Sequence, residues 1–234
     1  MDVITLASRK GGAGKSTLTA QLAAHAHTLG RRVLIIDADP QGSLSLWHAR
    51  RAGGLPRLVT PERGIERALA FAMVEGTDVV LIDTAPTMWV VVQEAIRAAT
   101  LVVIPARPGF FDLAAVQETV KTARERNKPY AVALNACPVK RDDKEAPLVA
   151  QSRADLEARQ IPVWSGQISQ RAGFQSTLAA GASASEIGPQ TAAGHEIAGL
   201  WGAIERSIAA INAAQFTPDR PANEAGALMG KRAA

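Results

Sequence analysis

Ser8-Arg9-Lys10-Gly11-Gly12-Ala13-Gly14-Lys15-Ser16-Thr17 is the stretch from which the fold is read. It follows an apolar run, Val3-Ile4-Thr5-Leu6-Ala7, that reads as a buried strand. It opens a segment from Ser16 to Leu29 that reads as a helix. A glycine-rich loop between a strand and a helix is the setting of a phosphate cradle, because loop N–H groups and the helix N-terminus both favour an anion. Gly11, Gly12 and Gly14 allow the backbone to approach a phosphate closely. Lys15 is expected to reach the β- and γ-phosphates, Ser16 to ligate Mg²⁺ and Thr17 to contact the α-phosphate. The loop departs from the spacing G-x-x-x-x-G-K-[ST]. Arg9 stands where the first glycine would be, and a second lysine, Lys10, lies inside the loop.

Outward from this loop, short apolar runs alternate with helical stretches. Val33-Leu34-Ile35-Ile36, Val79-Val80-Leu81-Ile82, Leu101-Val102-Val103-Ile104 and Tyr130-Ala131-Val132-Ala133-Leu134 read as further strands, and Ile161-Pro162-Val163-Trp164 as a weaker sixth. Such runs, bounded by Gly, Pro or Asp, suit strands buried on both faces. Helices are expected at about 43–50, 63–75, 88–99, 112–127, 144–159, 170–180 and 190–214. The alternation predicts an α/β fold, a mostly parallel sheet with helices on both faces. Residues 1–214 are expected to form one domain. Residues 215–234 hold Pro218, Pro221, Gly226 and Gly230 with little apolar periodicity, and are expected to be a disordered tail.

Acidic residues close two of these strands. Asp37 and Asp39 lie two apart, so both carboxylates can face one site where open α/β sheets bind ligands. Asp83 ends the next strand and is expected to hold Mg²⁺ together with Ser16, with Asp37 orienting Ser16 or the metal's waters. Taken singly, each of these aspartates could equally be a helix cap or a turn residue.

Three boxes together resemble the ParA/MinD family of P-loop ATPases with a deviant Walker A motif. They are Lys10-Gly11-Gly12-Ala13-Gly14-Lys15-Ser16-Thr17, Asp37-Ala38-Asp39-Pro40-Gln41-Gly42, and Val79-Val80-Leu81-Ile82-Asp83-Thr84-Ala85-Pro86. The resemblance covers residues 1–214, and the second box is closer to ParA partition ATPases than to MinD. It implies a P-loop NTPase fold with ATP and Mg²⁺ as cofactors. It also implies a homodimer that sandwiches two ATP molecules, with Lys10 reaching the partner's nucleotide. By the same resemblance Lys10, Lys15 and Asp39 are catalytic, Asp39 positioning the attacking water. Residues 11–17 bind ATP, and Asn135, at the end of a strand, contacts adenine or else simply sits in a turn. Ile168-Ser169-Gln170-Arg171 resembles the family's last motif. Thr84-Ala85-Pro86 is expected to act as a switch, although Ala85-Pro86-Thr87 departs from the family's usual Pro-Pro or Pro-Gly.

The resemblance implies an ATP-dependent dimerising ATPase that binds nonspecific DNA and partitions or positions a plasmid, chromosome region or protein cargo. A centromere-binding or adaptor protein would stimulate hydrolysis. The alternative is a MinD-like positioning ATPase on a membrane surface. A metabolic P-loop synthetase is a third class, for which no second, substrate-binding domain is visible. Lys and Arg number 26 against 22 Asp and Glu, a net charge of +4 that permits contact with DNA without requiring it. Lys121, Arg124, Arg126 and Lys128 form the densest basic run and are candidate DNA contacts. Residues 107–214, however, carry 12 basic and 11 acidic side chains, so a solvated helix face is the competing reading. Cys137 is the only cysteine, which excludes an internal disulfide framework. His25 and His27 lack metal-binding helical spacing. No apolar run reaches about 18 residues and no signal-like leader is visible. A cytoplasmic, nucleoid-associated location is therefore expected, and a membrane partner is not.

Overall fold

Runs of β-branched and aliphatic residues form the centre of the computed structural model, which describes residues 1–215. The strands are β1 (Asp2–Leu6), β2 (Val33–Ala38), β3 (Arg57–Val59), β4 (Val79–Thr84), β5 (Leu101–Ala106) and β6 (Tyr130–Leu134). Every pairing is parallel, and the order across the sheet is β3-β2-β4-β1-β5-β6. β2, β4 and β5 are buried along their whole length, which is why their sequences run apolar without alternation.

The helices are α1 (Lys15–Thr28), α2 (Ser43–His48), α3 (Ile65–Val74), α4 (Trp89–Ala98), α5 (Phe110–Glu125), α6 (Pro147–Ala158), α7 (Ala172–Ala179), α8 (Ala184–Ile187) and α9 (Ala192–Gln215). Alternate strand residues feed opposite layers. Ile4, Leu6, Ile35, Leu81 and Val103 pack with Leu18 and Leu22 of α1 and with Ile197, Leu200 and Trp201 of α9. On the other face, Leu34, Ile36, Val80 and Ile82 meet Ile65 and Ala72 of α3, while Val102, Ile104 and Val132 meet Val116 and Val120 of α5. The expected parallel sheet with helices on both faces is the observed architecture.

One local expectation is corrected. Ile161–Trp164 is not a strand. It makes a single parallel bridge, Val132 to Val163, with Val132 N–H donating to Pro162 O and Trp164 N–H to Val132 O. Pro162 has no N–H to extend that ladder. The sixth strand is instead β3, three residues paired with Leu34–Ile36 at the other edge of the sheet. It is too short and too exposed to show as an apolar run. The expected tail, beyond Gln215 at the end of α9, lies outside the described residues.

The chain leaves β1 through α1, passes over β4 to β2, and later passes from β4 to β5 on the far side of β1. These two connections thus leave the centre of the sheet in opposite directions. That divergence opens a crevice at the C-terminal ends of the strands, into which the β1–α1 loop projects.

Candidate functional site

Gly14 caps α1 in the left-handed region, at φ 97° and ψ 22°, and Gly12 has φ 74°. A side chain at 14 is excluded twice: by this φ, and because its Cβ would overlap the Asn135 amide. Asn135 Nδ2 donates to Ala13 O at 2.7 Å and so braces the loop from the end of β6. The first turn of α1 holds no acidic residue, and no side chain caps it. Its free N–H groups are left to an anion.

Lys15 is buried under the loop, its Nζ 3.3 Å from Ser8 O and 3.4 Å from Lys10 O. Burial lowers its pKa, while Asp83 and Asp39 pull the other way. Lys10 is exposed, and among the described residues no hydrogen bond or ion pair holds its ammonium. The neighbouring Arg9 is not free: its guanidinium lies over the Trp89 ring, 4.4 Å from the centroid.

Behind the loop, β2 and β4 place Asp37 and Asp83 side by side in register. Asp37 Oδ2 accepts from Ser45 N–H at 3.0 Å and Ser45 Oγ at 2.8 Å, which anchors α2, but Oδ1 is buried without a partner. Asp83 is fully buried and neither of its oxygens accepts a well-formed hydrogen bond. Desolvation pushes its pKa up to about 7, with Asp37 and Asp39 adding to the rise. The nearby Ser16 hydroxyl and Lys15 oppose it.

Buried carboxylate oxygens without partners are the donor set a hard divalent cation needs. Ser16, Asp83 and Asp37 therefore fit Mg²⁺. No group of three or more His, Cys, Asp or Glu able to hold a metal exists among the described residues. Asp39 is half-buried and accepts from Gln41 N–H at 3.0 Å, which fixes its loop at the crevice.

These elements line a cleft of about 980 Å³. Gly11, Gly12, Gly14, Lys15, Ser16, Thr17, Asp39 and Asn135 all face it, as does Pro86 of the expected switch. Ala13 is buried within the loop, and Asp37 and Asp83 are buried at the strand ends behind it and do not line the cleft. Arg171 also lines the cleft, paired to Glu196 at 2.8 Å.

Lys121, Arg124, Arg126 and Lys128 lie elsewhere, at the end of α5 and before β6, on the opposite edge of the sheet. Arg124 Nε donates to Tyr130 OH, Arg126 to Gln93 Oε1 and Lys128 Nζ to Ala99 O. Trp47 is buried, its N–H donating to Ala182 O. Sequence reasoning missed Arg107, which lines the cleft directly after β5. Its place at the C-terminal end of a parallel strand was the available signal.

The chain has counterparts among known proteins. The chain is 36% identical over 122 residues to the maintenance of carboxysome distribution protein A of Gloeobacter kilaueensis, covering 52% of this chain and 56% of that protein. It is 32% identical over 152 residues to the chromosome-partitioning ATPase Soj of Thermus thermophilus, covering 52% and 61%. The matched region thus spans little more than half the length of these relatives. The apo McdA structure from Cyanothece superposes with a TM-score of 0.70 at 18% identity, over 87% of this chain and 99% of that one, which shows a shared fold. Residues 4–184 match the family model described as the CobQ/CobB/MinD/ParA nucleotide binding domain, and the chain belongs to that family.

Proposed function

We propose that the chain is a Mg²⁺-dependent ATPase that dimerises on ATP, binds DNA without sequence preference, and positions or partitions a cargo. The observation that carries this reading is the pairing of a buried lysine with an exposed one in a single phosphate loop, in front of two strand-end carboxylates with unpartnered oxygens. Residues 11–17 would cradle the phosphates and Lys15 would neutralise them. Ser16, Asp83 and Asp37 would hold Mg²⁺, which when bound spreads the charge of the phosphate oxygens. Asp39, held in its turn by Gln41, would orient the attacking water. Asn135 would keep the loop in shape through Ala13 and border the base.

Among the described residues the Lys10 ammonium has no partner, as a residue that completes a neighbouring subunit's site would require. Nucleotide then becomes part of the interface, so that its hydrolysis dissolves the dimer. The names of the relatives, carboxysome distribution and chromosome partitioning, support a cargo that is either a protein assembly or DNA. A centromere-binding or adaptor protein would stimulate turnover. The described residues contain no helix long and apolar enough to cross a membrane.

Sedimentation velocity with and without Mg-ATP, alongside phosphate release, tests this. Asp39→Ala is expected to stay dimeric in ATP with turnover lowered at least about tenfold. Lys10→Ala is expected to bind ATP but remain monomeric. A Lys10→Ala protein that dimerises as well as the parent would remove the shared-site reading.

A further inference from the structure

Arg107 follows directly on β5 and lines the nucleotide cleft with Gly11, Gly12 and Lys15. Its Nη2 lies 3.4 Å from the position a Cβ on Gly12 would take, so the guanidinium lies against the phosphate loop itself. Its main chain is held, the Arg107 N–H donating to Asp112 Oδ1 at 3.4 Å in the first turn of α5. Its side chain is not held: among the described residues no carboxylate or carbonyl accepts from the guanidinium. The other arginines near the cleft are committed, Arg9 to the face of Trp89 and Arg171 to Glu196.

A guanidinium laid against a loop of N–H donors meets its own polarity. The arrangement becomes favourable when an anion enters that both can share. The fork of N–H donors on arginine matches phosphate oxygens, two at a time, better than a lysine does.

We propose that Arg107 is a phosphate-binding residue of the cleft. Its guanidinium grips the polyphosphate of the nucleotide held in the same subunit, from the β5 side, as a second cation beside Lys15. The proposal rests on the ATP reading above and assigns a role to a residue outside the three boxes that carry that reading.

The test is titration of a fluorescent, non-hydrolysable ATP analogue with Mg²⁺, at low and moderate salt. The proteins are the parent, Arg107→Gln, Arg107→Lys and Lys15→Ala. Arg107→Gln is expected to raise Kd about tenfold and to flatten its salt dependence, with Arg107→Lys recovering part of the loss. Because the guanidinium has no hydrogen-bond or ion-pair partner among the described residues, Arg107→Gln is expected to keep the parent's Tm, so that weaker binding is not unfolding. The tenfold effect is also expected in a Lys10→Ala background, and its disappearance there would overturn the same-subunit assignment. Binding by Arg107→Gln within about twofold of the parent, with Lys15→Ala binding lost, would overturn the proposal and leave the ATP site standing. If Lys15→Ala also bound like the parent, the ATP site and the proposal would fall together.

Discussion

Asp83 is an ionisable group buried with neither oxygen hydrogen-bonded, and its titration follows from that. Its pKa is about 7 in the fold against 3.8 in the unfolded chain, so between those values the folded state holds a proton that the unfolded state has released. Stability from this group is therefore fully present below about pH 4 and is lost as pH rises through 7. The loss is on the order of 4 kcal/mol at most. Asp83→Asn keeps the shape and removes the titration. In thermal unfolding without metal or nucleotide, its Tm is expected to exceed the parent's at pH 8 and to converge with it near pH 4. A Tm difference that stayed constant across that range would contradict the assignment. Lys15, Ser16 and Asp39 were legible in the sequence because a local pattern defines the loop and strand ends they occupy. The contacts of Asn135 with Ala13 and of Arg107 with Gly12 were not, because they depend on β5 and β6 lying on the far side of β1.

At the scale of elements, α1 does more than present the loop. It is buried on nearly all sides, between the sheet and α7, α8 and α9. Gln21 is fully buried in it, Nε2 donating to Thr177 Oγ1 at 3.2 Å and Oε1 accepting from Ala184 N–H at 2.7 Å. One amide thus ties the phosphate helix to α7 and to the start of α8. Gln21→Ala leaves the Ala184 N–H buried without a partner and is expected to cost about 1–3 kcal/mol in urea unfolding. Faster amide exchange at Ala184 would locate the damage, and an unchanged midpoint would show the tie to be dispensable. The sequence reading captured the long elements, whose apolar pattern extends over several turns or a whole buried strand. It missed β3 and α8, of three and four residues. α8 is marked only by a capping box, Ser183 with Glu186, and β3 only by its place beside β2. It also read a strand at Ile161–Trp164 from apolar content, where Pro162 limits the pairing to one bridge.

For the molecule as a whole, a net charge of +4 is too small to hold DNA tightly by one copy. Pairing on ATP would double it, so DNA binding is expected only with ATP. A gel-shift series on unrelated duplex DNA should show a shift at about 50 mM salt that weakens tenfold or more by about 200 mM. A shift of equal strength without nucleotide would separate DNA binding from pairing. Lys121→Glu is the most informative change on that surface. Lys121 is exposed, whereas Arg124, Arg126 and Lys128 also brace the fold through Tyr130, Gln93 and Ala99. The overall layering and the cleft were readable in advance, while the spatial separation of the basic run from the cleft was visible only once α5 had a direction.

The stacking of Arg9 on Trp89 joins the loop after β1 to the start of α4, just beyond Asp83 and Pro86. Of the four tryptophans, Trp47 and Trp201 are enclosed in the core, and Trp164 lies against the β5–β6 side of the sheet, away from the loop. Trp89 is thus the indole whose emission colour depends on where a charge from the phosphate loop rests. The protein carries its own lamp at the joint between its first and third motif boxes, so a change at that joint would be read without an attached dye.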